Sequence, residues 1–122
     1  MNLRFISPTF HGIIDYTAAV ALIVVPFMLG LGDSSILALW LSVTTGLIVI
    51  LVSTNTIYKY GIFQTLSFNA HLAIDLMAAT TFAIAPFALG FEGIDMYYYI
   101  ANAVVVFLVV ALSDNCEPVI NQ

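Results

Sequence analysis

The chain has 122 residues, of which 62% are hydrophobic and 7% charged, against roughly 45–50% apolar and about 25% charged in an average soluble domain. A protein this small keeps much of its surface in contact with its surroundings, and two basic and seven acidic side chains cannot clothe that surface in water, so the surroundings are lipid. A soluble enzyme, a disordered chain and a disulfide-stapled secreted domain are thereby excluded. With Arg4 and Lys59 as the whole basic complement, so is phosphate-driven binding of nucleic acid.

Four segments are long and apolar enough to cross a hydrocarbon core of about 30 Å, which takes roughly 20 helical residues. The first runs from about Pro8 to Leu29, with Ser7 as N-cap, Pro8 in the first helical position and Gly30 as terminator. The second covers about Ser35 to Ser53, the third starts near Ser67 and ends before Gly90, and the fourth covers about Asp95 to Leu112. Asp15 interrupts the first apolar run and no A-x-A-like site follows, so this segment reads as a retained helix, not a leader. The connection from about 54 to 66 carries Tyr58, Tyr60 and Phe63 around Lys59 and reads as an interfacial segment on the membrane surface. Trp40 and the run Tyr97, Tyr98, Tyr99 read as an aromatic belt. Cys116, in a short tail of residues 114–122, is the one cysteine, so no internal disulfide forms. Arg4 and Lys59 fall on the same side of the membrane. The positive-inside rule makes that side cytoplasmic, with both termini inside a prokaryotic membrane.

Displacing the chain by 60 positions superimposes its halves. Ser7 falls on Ser67, His11 on His71, Asp15 on Asp75, Ala18 and Ala19 on Ala78 and Ala79, and Ser53 on Ser113. Pro26, Phe27 and Gly30 fall on Pro86, Phe87 and Gly90, and no gap is needed. Matched His, Asp, Pro and Gly at one offset mark an internal repeat, with repeat 1 at about 7–53 and repeat 2 at about 67–113. Each half holds two spans, so both enter the membrane in the same sense. A pseudo-twofold axis along the membrane normal then relates them. The expected fold is an all-α integral membrane four-helix bundle, a single domain over 1–122. At about 100° per residue, His11, Asp15, Ala18, Leu22, Pro26 and Leu29 share one face, which is expected to look inward, with the alanines allowing close helix approach. Each proline is expected to shape its helix end before the glycine turn.

This unit, an aliphatic helix, a Pro-aromatic-x-Leu-Gly turn and a second helix, resembles the SPW repeat of small bacterial and archaeal membrane proteins. Val25-Pro26-Phe27 and Ala85-Pro86-Phe87 occupy the Ser-Pro-Trp motif, Asn102 fits the second-helix Asn, and Gly46 the second-helix Gly. The Ser and Trp of the motif are absent from both copies. The resemblance covers most of the chain and implies a two-repeat, four-helix membrane protein, with no reaction attached.

His11-x-x-x-Asp15 and His71-x-x-x-Asp75 carry the chemistry. A spacing of four sets His and Asp on one helix face, and a carboxylate inside a span is expensive and as a rule paired or functional. The repeat puts all four side chains at similar depth, where they can converge. Three roles fit. The pairs can be structural, tying helices together. His11, Asp15, His71 and Asp75 can hold a divalent metal, or His11 and His71 can be the axial pair of a b-type haem. Asp15 and Asp75 can also serve a proton path or a quinone pocket. The leading expectation is a non-enzymatic structural or accessory protein in contact with lipid, acting as a homo-oligomer or with other membrane subunits. A redox or metal-binding protein is the alternative.

Overall fold

A computed structural model describes residues 3–114; Cys116 and the rest of the C-terminal tail beyond Asp114 lie outside the described residues. The chain forms four helices, α1 (Pro8–Leu29), α2 (Ile36–Thr54), α3 (Phe68–Leu89) and α4 (Ile94–Leu112). All four are long and apolar enough to cross a membrane. The all-α four-helix bundle follows, and the protein is a small multi-pass membrane protein.

The helix ends are written locally. The Ser7 and Ser67 hydroxyls accept from the amides of Phe10 and Ala70, satisfying groups that a first turn leaves orphaned. Gly30 and Gly90 end α1 and α3 in the left-handed region, at φ of 69° and 71°. The next amides, Leu31 and Phe91, reach back to the carbonyls of Pro26 and Pro86 at 2.9 and 2.8 Å, the helix-ending geometry that glycine permits. Pro26 and Pro86 are themselves buried, while Phe27 and Phe87 point outward.

Backbone packing is concentrated within two hairpins, α1 with α2 and α3 with α4, and α2 also meets α3. The first hairpin is tight because Gly46 has no side chain. A Cβ there would lie 2.7 Å from Ile23 Cγ1 and 2.9 Å from the Ala19 carbonyl oxygen. The inward face of α1 is His11, Asp15, Ala19, Leu22 and Pro26. Leu29, expected on that face, is exposed, because the helix ends there and the chain turns away.

At the end of the bundle that carries the two hairpin turns, Asp95 on α4 is fully buried. Its carboxylate accepts from the amides of Gly32, Ser34 and Ser35, at 2.9, 3.0 and 3.4 Å, and from the Ser34 hydroxyl. One acid on the second hairpin thus gathers the turn of the first. The aromatic-belt expectation is corrected here for two residues. Tyr97 and Trp40 are exposed, but Tyr98 and Tyr99 are buried. Tyr99 donates to the Ala38 carbonyl at 2.6 Å. The Ser42 hydroxyl donates to the Leu22 carbonyl, so Tyr98 donates to Ser42, at 2.6 Å. Both rings are anchored inside because consecutive residues on a helix lie about 100° apart, and Tyr98 and Tyr99 face the bundle while Tyr97 faces out.

At the opposite end the chain closes on itself twice in the same way. Leu66, before α3, pairs with the end of α2 through Leu66 N–H to Asn55 O and Ile57 N–H to Leu66 O. Ile6, before α1, pairs with the end of α4 through Ile6 N–H to Leu112 O and Asp114 N–H to Ile6 O. Ile6 and Leu66 differ by 60, but Asn55 and Leu112, like Ile57 and Asp114, differ by 57. The gapless repeat is therefore corrected. It holds through α1 and α3 to the glycine caps, after which the second turn is shorter, 90–93 against 30–35. Burial agrees with the shift: Ala38, Ser42 and Gly46 on α2 answer Asp95, Tyr99 and Ala103 on α4.

Candidate metal centre

The face of α1 that carries His11 and Asp15 meets the face of α3 that carries His71 and Asp75. The four side chains converge beside the paired ends of the chain. His11 Nε2 lies 2.9 Å from Asp75 Oδ2 and 3.1 Å from Asp15 Oδ1. His71 Nε2 lies 3.0 Å from Asp15 Oδ2 and 3.3 Å from Asp75 Oδ2. Each histidine thus meets its own aspartate and the other helix's. Both imidazoles are fully buried, edge to face with ring centroids 5.3 Å apart. Phe68 stands edge-on to His11 and roughly parallel to His71.

The far side of each ring is fixed by a hydroxyl at a helix end. His11 Nδ1 is 2.7 Å from Ser113 Oγ, and His71 Nδ1 is 2.7 Å from Thr56 Oγ1. Each hydroxyl already gives its one proton to the carbonyl four residues back, Ser113 to Val109 at 2.6 Å and Thr56 to Val52 at 2.7 Å. It can then only accept from the imidazole, so the hydrogen-bond network assigns a proton to Nδ1 of both rings. With both carboxylates ionised, Nε2 of each ring faces them either as a second N–H or as a lone pair on a cation. A neutral ring with neither would set a lone pair against anionic oxygens.

The cluster closes without net charge in both states, with two imidazolium rings against two carboxylates or with one divalent cation among neutral rings and the same carboxylates. Neutrality matters because unpaired charge at membrane depth is costly. Two observations bear on whether a metal fits. His71 Nε2 is buried, close to two carboxylate oxygens and in hydrogen-bond geometry with neither, as expected of a nitrogen aimed between its neighbours. One ligand atom from each residue lies within 4.8 Å of all the others. A tetrahedral ion held at about 2.0–2.2 Å sets its ligands roughly 3.3–3.6 Å apart, so the His–Asp separations of 2.9–3.3 Å open slightly on binding, and the wider separations in the set, up to 4.8 Å, close. Nitrogen and carboxylate donors of this kind suit zinc, manganese or iron, and the hydroxyls on Nδ1 are the orienting partners that metal-bound histidines require.

A haem does not fit, and the expectation of His11 and His71 as an axial pair is corrected. A porphyrin plane would have to pass between the two Nε2 atoms, where Asp15 and Asp75 stand within about hydrogen-bonding distance of both. Phe68 and Tyr58 close the remaining sides of His71.

Tyr58 is a residue the sequence reading placed elsewhere. The connection was expected to lie along the membrane surface, yet Tyr58 is 1% exposed and its hydroxyl donates to Asp15 Oδ2 at 3.0 Å. Burial, and next the charge of Asp15, push its phenol well above the ordinary tyrosine range. Tyr16 holds the same segment through the Tyr60 carbonyl at 2.8 Å. The signal was a break in the repeat. Gly12 answers Leu72 at the offset of 60, and a Cβ on Gly12 would sit 3.2 Å from the Tyr58 ring. Thr56 and Ser113 were missed as ring anchors because the gapless offset pairs Ser113 with Ser53, whose hydroxyl bonds neither histidine.

The family model of the SPW repeat domain matches residues 9–114, which takes in α2, α3 and α4 and all of α1 but its first residue. No curated protein and no solved structure matches the chain.

Proposed function

The chain belongs to the SPW repeat domain family, and on that premise we propose that it is a metal-stapled accessory protein of a prokaryotic cytoplasmic membrane. One divalent ion of the zinc, manganese or iron class is held by His11, Asp15, His71 and Asp75. The observation that carries this reading is the assigned Nδ1 protons, which leave two Nε2 atoms and two carboxylates directed at one buried point. The ion joins α1 to α3, two helices that otherwise share little backbone contact. Four protein ligands and oriented histidines are the pattern of a structural site, which supports a non-enzymatic role as a homo-oligomer or as a small subunit among other membrane proteins. Arg4 and Lys59 support an orientation with both termini in the cytoplasm.

The test is metal content. Protein exchanged into zinc, manganese or iron(II) and freed of excess ion carries one ion per chain, lost in His11→Ala, His71→Ala, Asp15→Asn and Asp75→Asn. A second reading is supported by the same neutral closure: two protons hold the cluster and it serves helix packing alone. In that case no ion is retained, and the four substitutions change thermal stability without changing metal content.

A further inference from the structure

Beyond the cluster, toward the middle of the bundle, lies a cavity of about 90 Å³ walled by all four helices. Asp15 and Asp75 form its polar end. Ala18 and Ala78, equivalent in the repeat, make the space; they are half-buried wall residues, whereas the neighbouring Ala19 and Ala79 are the ones packed tight. Thr45 and Asn102 supply the remaining polar atoms of the wall.

These groups are rich in acceptors and poor in donors. The Thr45 hydroxyl spends its proton on the Leu41 carbonyl at 2.7 Å, and the Asn102 amide gives one hydrogen to the Tyr98 carbonyl at 2.8 Å, leaving one N–H as the wall's single side-chain donor beside its acceptor oxygen. Asp75 meets both imidazoles through Oδ2, so the carboxylate's other oxygen is what it offers the cavity. A molecule suited to this wall brings a hydrogen-bond donor and a narrow apolar body. The volume is below the roughly 150 Å³ of a dry cavity that takes up benzene, so a ring is disfavoured and an aliphatic chain fits. Such a molecule arrives from the bilayer.

We propose that the central cavity binds the hydroxyl end of a membrane-soluble long-chain alcohol, with Asp75 as acceptor and Ala18 and Ala78 as the gap its first carbons fill. This goes beyond the metal reading and holds whether an ion or protons occupy the cluster. The experiment uses the full chain in phosphatidylcholine nanodiscs, since sugar-headed detergents carry competing hydroxyls. Methyl NMR of alanine and threonine is followed while 1-octanol or methyl octyl ether, which lacks the donor, is titrated in. The expected result is saturable shifts at Ala18, Thr45 and Ala78 with 1-octanol and binding at least tenfold weaker for the ether. Ala78→Leu and, separately, Ala18→Leu fill the gap and abolish the 1-octanol response while metal content stays unchanged. Equal binding of the ether, an absence of saturation, or persistence of the response in both leucine variants overturns the proposal. Loss of metal binding in the unsubstituted protein bears on the metal reading alone.

Discussion

Ser113→Ala removes the acceptor of the His11 Nδ1 proton, and the structure sets the size of the consequence. The lost contact is a 2.7 Å hydrogen bond to a fully buried ring, so the orphaned N–H costs about 1–3 kcal/mol. Partners that orient a metal-bound histidine are worth about 10–100-fold in affinity, which converts to roughly 1.4–2.8 kcal/mol, the same range. Thr56→Val deletes the equivalent bond to His71 and keeps the side chain's shape, so it matches Ser113→Ala within a few-fold. Ser53→Ala is the informative control. Ser53 is where a gapless repeat would put the counterpart of Ser113, yet it bonds neither imidazole, and its substitution leaves affinity within about twofold. Zinc affinity by competition with a chromophoric chelator measures all three, and thermal unfolding registers the same ranking if protons hold the cluster. Equal loss in Ser53→Ala and Ser113→Ala, or no loss in Ser113→Ala, would refute both the tautomer assignment and the shifted register.

Three other substitutions or conditions probe the rest of the scaffold. Gly46→Ala forces a methyl to within 2.7 Å of Ile23 and 2.9 Å of the Ala19 carbonyl, and the splayed hairpin loses about 1–3 kcal/mol, visible as a lower unfolding midpoint in detergent. Asp95→Asn exchanges a carboxylate that gathers three amides and a hydroxyl for a weaker acceptor. Since charge-assisted bonds are worth about 1.5–3 kcal/mol, faster hydrogen exchange is expected at Gly32 and Ser34, with the metal centre unaffected. Tyr58 holds its proton above the ordinary tyrosine range when folded. The unfolded chain releases that proton at about pH 10, so the stability contributed is complete below that pH and declines as pH rises past it. Tyr58→Phe makes this decline shallower by one proton's share, which pH-dependent unfolding monitors.

How much of this was legible in the sequence differs from one residue to the next. Ser7 and Gly30 with their copies Ser67 and Gly90, and Pro8 in the first repeat alone, act within a single turn of helix, so local rules located the ends of α1 and α3. The four apolar runs needed only length and hydropathy. The convergence of His11, Asp15, His71 and Asp75 was suggested by the repeat, because duplication on a pseudo-twofold axis returns equivalent groups to equivalent depth. Asp95 was read only as the start of the fourth span, since the amides it accepts from lie some sixty residues away and no periodicity encodes such a partner.

By itself, then, the sequence determined the class, the helix count and the lipid surroundings, because burying about twenty apolar residues per span is a property of composition and run length. It also determined the repeat and the identity of the four polar groups. Only the tertiary structure decided which atoms of those groups face one another, that haem has no room, that Tyr58 turns inward, and that Thr56 and not Ser53 answers Ser113. Those outcomes depend on helix rotation and on a second turn shorter than the first. At about 100° per residue, a register shift of three residues carries a side chain to a different partner while leaving the hydrophobicity of every span unchanged.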